Sequence, residues 1–181
     1  KYSFQGTFDG QGHTLTIYYE VTAGYTAPFR VTENATIRNL HVTGSIITSD
    51  QMAAGLVSEA EGTLTIENCR SSVDILCSFE WSGQHAGFVS YIPMMFGEVS
   101  CEVTITGCLF DGSIRTTSTT TSCGGFIAVA GGTATIRHSL MAPTSVSEGM
   151  VANTFAYYGE HLNIDSCYYY GLHVANNQGT S

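Results

Sequence analysis

Through most of the chain, apolar residues alternate with Thr, Ser and charged residues in short runs, the period-two pattern of strands with one buried face. Thr, Val, Ile, Tyr and Phe fill these runs, Gly, Ser and Thr are plentiful, and helix formers are scarce, which predicts an all-β protein. One register returns five times: "TIRNL" at 36–40, "TIENC" at 65–69, "TITGC" at 104–108, "TIRHS" at 135–139 and "NIDSC" at 163–167. The steps between them are 29, 39, 31 and 28 residues. Irregular steps of this size, with similarity confined to a few strand positions, predict a β-solenoid in which each repeat is one coil. Coils would then stack at the ~4.8 Å spacing of neighbouring strands.

A second landmark falls between the first: "AGLV" at 54–57, "AGFV" at 86–89, "GGFI" at 124–127 and "NTF" at 153–155. From Gly55, Gly125 and Asn153 to the Ile of the next motif is 11 residues, but from Gly87 to Ile105 it is 18. The excess of seven residues places an insertion within "YIPMMFGEVSCEV".

Stacking turns each motif position into a column. Ile37, Ile66, Ile105, Ile136 and Ile164 should point inward, as should Leu40, Cys69, Cys108, Ser139 and Cys167, and a third column of Ile46, Ile75 and Ile114. Between the first two lie Asn39, Asn68, Gly107, His138 and Ser166. Asn and Gly tolerate the left-handed conformation of a one-residue corner; His does so less readily, and Ser is the least expected there. The outward column is Arg38, Glu67, Thr106, Arg137 and Asp165, which sets Arg38 beside Glu67 and Arg137 beside Asp165. These charges are expected to serve register and solubility.

The length, 181 residues, suits a single domain spanning 1–181 with a full core. Six Lys and Arg against 15 Asp and Glu give a net charge of −9, which argues against a nucleic-acid backbone or an anionic membrane as partner. An acidic polysaccharide is disfavoured for the same reason unless metal ions bridge the charges. No run approaches the ~20 apolar residues of a membrane-spanning helix. Both ends read as cut points, so neighbouring coils or domains of a longer chain are expected.

The segments "FQGTFDGQGHTLTI" (Phe4–Ile17), "NATIRNLHVTGSI" (Asn34–Ile46) and "AGLVSEAEGTLTIENC" (Ala54–Cys69) resemble GLUG-repeat proteins. The motif that names that family appears here as "GLVS", "GFVS" and "GFIA", with Ser or Ala for the final Gly. The resemblance covers nearly the whole chain. It implies a bacterial cell-surface or secreted protein and a right-handed parallel β-helix, a pectin-lyase-like solenoid of about five to six coils. It implies no catalytic role. Some relatives of this kind occur in large proteases with a zinc-binding H-E-x-x-H helix, and nothing here matches that motif.

Right-handed β-helices also include polysaccharide lyases and glycoside hydrolases, so such an enzyme is the alternative reading. Lyases gather acidic calcium ligands beside a basic residue, whereas the arginines at 30, 38, 70, 115 and 137 are scattered. Hydrolases need carboxylates converging on a sugar. Asp74 and Asp111 are the best candidates from adjacent coils, but they fall two columns apart and are expected on opposite sides of the strand ridge. No His shares zinc-site spacing with another His or with Cys. "FDGQG" is weak as a calcium loop, and His13 reads as a turn residue. No metal or cofactor is expected. Cys69, Cys108 and Cys167 read as small buried hydrophobes; Cys77, Cys101 and Cys123 are expected at strand ends or in loops, reduced unless the compartment is oxidising. A flat Thr array of the ice-binding kind is ruled out by the charged outward column.

Aromatic residues supply the functional lead. Phe79, Trp81, Tyr91 and Phe96, with Met94 and Met95, belong to the loops of the longest coil. They either stack on sugar rings and anchor a partner or fold over the helix as a small satellite core. Trp81 would be the anchor of a binding site, with Phe79, Tyr91 and Phe96 beside it. Of the tyrosines at 18, 19, 157, 158, 168, 169 and 170, strand alternation sends about half outward. The function expected is a non-catalytic extracellular module, a stalk or an adhesin-like surface, with a glycan or a host surface protein as partner.

Overall fold

The computed structural model describes residues 2–22, 24–78, 83–94, 101–118, 120–146, 151–170 and 177–181. Among them there is no helix, and the strands form three sheets in which every pairing between strands is parallel. The first sheet runs Phe4–Asp9, Phe29–Arg38, Val57–Glu67, Glu102–Thr106, Ile127–Arg137, Ala156–Asp165 in chain order. Strand Val89–Ile92 shares a rung with Glu102–Thr106. The second sheet begins Thr14–Val21, His41–Thr48, Arg70–Cys77 and continues through two split rungs to Tyr168–Tyr169. The third comprises Met52–Ala54, Gln84–Ala86, Ser122–Gly124 and Val151–Asn153. Each turn of chain visits the sheets in sequence, so the protein is a parallel β-solenoid of about five turns.

The columns form in the expected register. Ile37 pairs with Ile66, Ile66 with Ile105, Ile105 with Ile136 and Ile136 with Ile164. The first four are fully buried; Ile164 is half-buried, and Phe8, which extends the column beyond Ile37, is 38% exposed. Both belong to terminal rungs, where a core position has a neighbour on one side only. Ile46, Ile75 and Ile114 are buried in register on the second sheet. The "AGLV"-type landmark places Leu56, Phe88, Phe126 and Phe155 in the interior. Phe126 stacks on Phe88 with ring centroids 4.8 Å apart and packs on Phe155 at 5.1 Å. Such ring pairs contribute about 0.5–1.5 kcal/mol beyond their buried area.

All five corner residues adopt the left-handed conformation: φ is 52° at Asn39, 51° at Asn68, 65° at Gly107, 49° at His138 and 52° at Ser166. At four of the five corners the residue that follows does more than fill space. Cys69, Cys108 and Cys167 donate their thiols to the carbonyls of Glu67, Thr106 and Asp165, each at 3.3 Å, and Ser139 donates to Arg137 O at 2.8 Å. In turn, Cys108 Sγ accepts from Cys69 N and Ser139 Oγ from Cys108 N. The expectation of small hydrophobes is therefore incomplete: the column favours a small side chain that can bond corner groups a larger apolar residue would strand. All six cysteines are buried free thiols. Hydrogen bonding to Cys69 and burial push the Cys108 thiol up, keeping it protonated.

The insertion lies where the sequence places it. In the neighbouring strand, Ala130 to Thr133 is three steps; the same span between Ile92 and Glu102 takes ten, an excess of seven. Register shifts also occur between Glu33 and Ala35 and between Ala130 and Thr133, so this column of the first sheet is a bulge where the coil can be opened without breaking the flanking ladders.

One expectation holds in register but not in bonding, and one needs correction. Arg38 is in register with Glu67, but its Nε donates to Asp9 Oδ2 on the opposite neighbour at 3.0 Å. Asp9 is the better partner because Asn39 and the Gln11 N–H also hold its carboxylate, and together with Arg38 they keep it below the usual range. Asp74 and Asp111 are indeed two columns apart, but they share the outward face of the second sheet, since Asp74 pairs with Ser113 and Phe110 with Ser71 without a register break. His13 closes a turn onto Gly10 O, as expected.

Replacing Ser166 by Asn, which tolerates the corner conformation better, should stabilise the protein by roughly 0.5–1 kcal/mol in urea unfolding. Gly44, at φ +113°, would carry a Cβ 1.9 Å from the Ile17 carbonyl oxygen. Gly44→Ala is therefore expected to cost more than about 2 kcal/mol in the same assay.

Candidate functional site

Of the aromatic site expected from sequence, Phe79, Trp81 and Phe96 lie outside the described residues. Tyr91 sits half-buried in strand Val89–Ile92, in register between Glu59 and Val129. Strand alternation does expose about half of the seven paired tyrosines: Tyr18, Tyr158, Tyr168 and Tyr170 face solvent, while Tyr19 and Tyr169 pack against the core and Tyr157 is half-buried.

The densest polar chemistry among the described residues is on the outward face of the second sheet. Arg70 grips Asp111 in the next coil through Nε, at 3.0 and 3.2 Å, and through Nη2. Ser72 Oγ donates to Asp111 Oδ1 at 2.5 Å, and His41 Nε2 lies 2.9 Å from Ser72 Oγ. His41 Nδ1 is 3.3 Å from Thr14 Oγ1. The chain Thr14–His41–Ser72–Asp111–Arg70 thus laces four coils together. Each member occupies an outward position of the second sheet, level with the second residue past the corner (Thr14, His41, Arg70) or the fourth (Ser72, Asp111), which stacking aligns.

A serine beside a histidine suggests a nucleophile and its base. The hydrogens argue otherwise. Ser72 has one hydroxyl proton, and Asp111 holds it. The proton in the His41–Ser72 contact therefore comes from the ring, with Nε2–H donating to Ser72 Oγ and Nδ1 accepting from Thr14. In that arrangement His41 cannot deprotonate Ser72. Burial and the Arg70 charge lower the His41 pKa despite the opposing Asp111, consistent with a neutral ring. Burial alone would raise the Asp111 carboxyl, but the hydrogen bonds of Arg70 and Ser72, with the Arg70 charge, outweigh it and hold it low. Asp74 is likewise engaged, accepting from Ser113 Oγ at 2.6 Å. The carboxylates thus bond to neighbouring coils instead of converging on a shared space. No group of three His, Cys, Asp or Glu side chains suited to a metal ion occurs among the described residues.

A second cluster escaped the sequence reading. His85 is fully buried in the third sheet between Ala53 and Cys123, and neither ring nitrogen has a hydrogen-bond partner. Asp50 Oδ2, Gln84 Oε1 and Thr121 Oγ1 nearby in sequence or one coil away are also buried and unpaired. Burial lowers the His85 pKa to about 4, offset slightly by the Asp50 backbone. The signal was present: His85 precedes the "AGFV" landmark at a position other coils fill with Ala or Cys.

Depressions mark the surface at the corner between the first and second sheets. One, of about 320 Å³, is lined by Asn39, His41, Asn68 and Arg70 among others. Another, of about 540 Å³, is lined by His138, Ser139, Leu140, Ser166 and Tyr168. A third, of about 320 Å³, lies at the first rung beside Tyr19, Tyr25, Pro28 and Arg30.

Because folding holds His85 neutral while the unfolded chain protonates it near pH 6.5, its contribution is fully present above that pH and lost as pH falls toward about 4. Urea unfolding at pH 7, 5.5 and 4.5 is expected to show a loss approaching roughly 3 kcal/mol from this group, and His85→Gln should flatten that slope. Asp111 acts lower: its contribution is present above about pH 4 and lost as pH falls further.

Comparison with protein-family models, with curated proteins and with solved structures finds no match to this chain.

Proposed function

We propose that this chain is a non-catalytic, extracellular β-helix module of a bacterial surface or secreted protein, of the GLUG-repeat kind, acting as a stalk or as an adhesin-like surface that binds carbohydrate. A right-handed coil fits this reading, since crossover connections between parallel strands are right-handed in about 98% of cases. The observation that carries it is the lacing of Thr14, His41, Ser72, Asp111 and Arg70 across four coils. Side chains able to do acid–base work are committed to holding neighbouring coils together, as befits a module whose purpose is a long, stiff surface. The parallel stack supports the same reading, because each coil presents the same outward columns to a ligand or partner.

The test is a glycan-array screen of the purified protein with and without calcium. Specific binding is expected, and Trp81→Ala reports whether the coil-three loops are its seat. A blank array under both conditions removes the carbohydrate-binding part and leaves a spacer or a module that binds a host surface protein. Release of unsaturated products or new reducing ends from polygalacturonate would overturn the non-catalytic reading.

A further inference from the structure

We propose that the corner between the first and second sheets is a recognition groove for a linear, neutral glycan lying along the solenoid axis. This inference rests on the carbohydrate-binding reading above and places the site on the stacked corner column.

Two depressions, of about 320 and 540 Å³, lie on one corner of the solenoid toward its opposite ends. The wall they share is a single column in continuous register: Thr14 pairs with His41, His41 with Arg70, Arg70 with Leu109, Leu109 with Leu140 and Leu140 with Tyr168. Five such steps span roughly 24 Å at ~4.8 Å each, long enough for several sugar rings. The other wall is the left-handed corner column. Halfway along, Gly107 has no side chain, and the Asn68 amide leans over it: a Cβ at Gly107 would stand 2.7 Å from Asn68 Oδ1.

The chemistry changes along this track. The first half presents Asn68 and Arg70, the second His138, Leu140 and Tyr168. Tyr168 is 55% exposed and Leu140 39%, an apolar platform that a solvent-facing strand does not need for its own packing. Asn68 and His138 are exposed, and among the described residues their side chains make no hydrogen bond to the protein. A sugar ring has an apolar face for Tyr168 and Leu140 and hydroxyls for free amide and imidazole groups.

The occupant is neutral because the chain carries a net charge of −9 and the one guanidinium in the groove is already matched to Asp111. It is a glycan in preference to a peptide because the backbone beneath is committed to coil-to-coil ladders, leaving no strand edge to extend, and the depressions are shallow troughs without a pocket for a side-chain anchor.

The experiment is isothermal titration of the intact protein with cellohexaose, xylohexaose, mannohexaose, chitohexaose and laminarihexaose, and with a gelatin digest as the peptide probe. Variants are Tyr168→Ala, Asn68→Gly, which keeps the corner conformation, and Trp81→Ala, each checked for native circular dichroism. At least one hexasaccharide should bind saturably, about tenfold more weakly to Tyr168→Ala and several-fold more weakly to Asn68→Gly, with Trp81→Ala unchanged. Binding lost in Trp81→Ala but unaltered in Tyr168→Ala overturns the groove and leaves the carbohydrate reading standing. No heat with any sugar at millimolar concentration overturns both, and saturable binding of gelatin peptides alone assigns the groove to peptides.

Discussion

Stacking of the left-handed corner residue on its counterpart in the next coil is the constraint on which the rest of this solenoid depends. At that position the chain leaves the first sheet and enters the second with one residue. A non-glycine residue there costs roughly 1–2 kcal/mol unless its side chain can bond locally, as Asn does. The cost is tolerated because the corner brings two ladders into register at once. Asn39 N bonds Glu67 O on one side, and Arg70 N bonds Leu40 O just beyond. A slip of one residue at the corner would send every Ile of the inward column to solvent.

From that register the interior follows by repetition. Each coil has an apolar side that it cannot bury alone, and the next coil covers it. The Ile column, the phenylalanine stack and the thiol column are one arrangement, seen at three positions around the coil. The thiol column links packing to hydrogen bonding most directly, since Cys and Ser are small enough for the interior and still bond the carbonyl two residues back. Repetition weakens at the terminal rungs. At the last, residues after the final coil take part: Gln178 accepts from the Phe155 and Ala156 N–H groups through Oε1 and donates to Ala156 O. Backbone groups that another coil would pair are met there by one side chain.

Polar groups divide between two tasks. On the outside, Arg70, Asp111, Ser72 and His41 satisfy one another across coils, so charge becomes mechanical continuity. Inside, His85 works against stability in acid, and with the unpaired atoms around it marks the third sheet as the least completed part of the core. The corner groove differs from both, since it leaves Asn68, His138 and Tyr168 available at the surface.

Much of this architecture was legible from five repeated letters. Ile at the second position of every motif announced the buried column, Asn or Gly after the outward residue announced the corner, and the unequal spacing between two landmarks located the seven-residue insertion. These are local, periodic features, and stacking preserves them. What the sequence left undecided are choices between neighbours. Arg38 had an acid on either side, and only the tertiary structure selected Asp9, because Asn39 and the turn at Gln11 already held that carboxylate in place. Asp74 and Asp111 looked opposed until register put both on one face. His85 resembled any other polar residue until two coils closed over it. Each outcome depends on residues about 30 positions away in the chain, and coil stacking alone decides which of them meet.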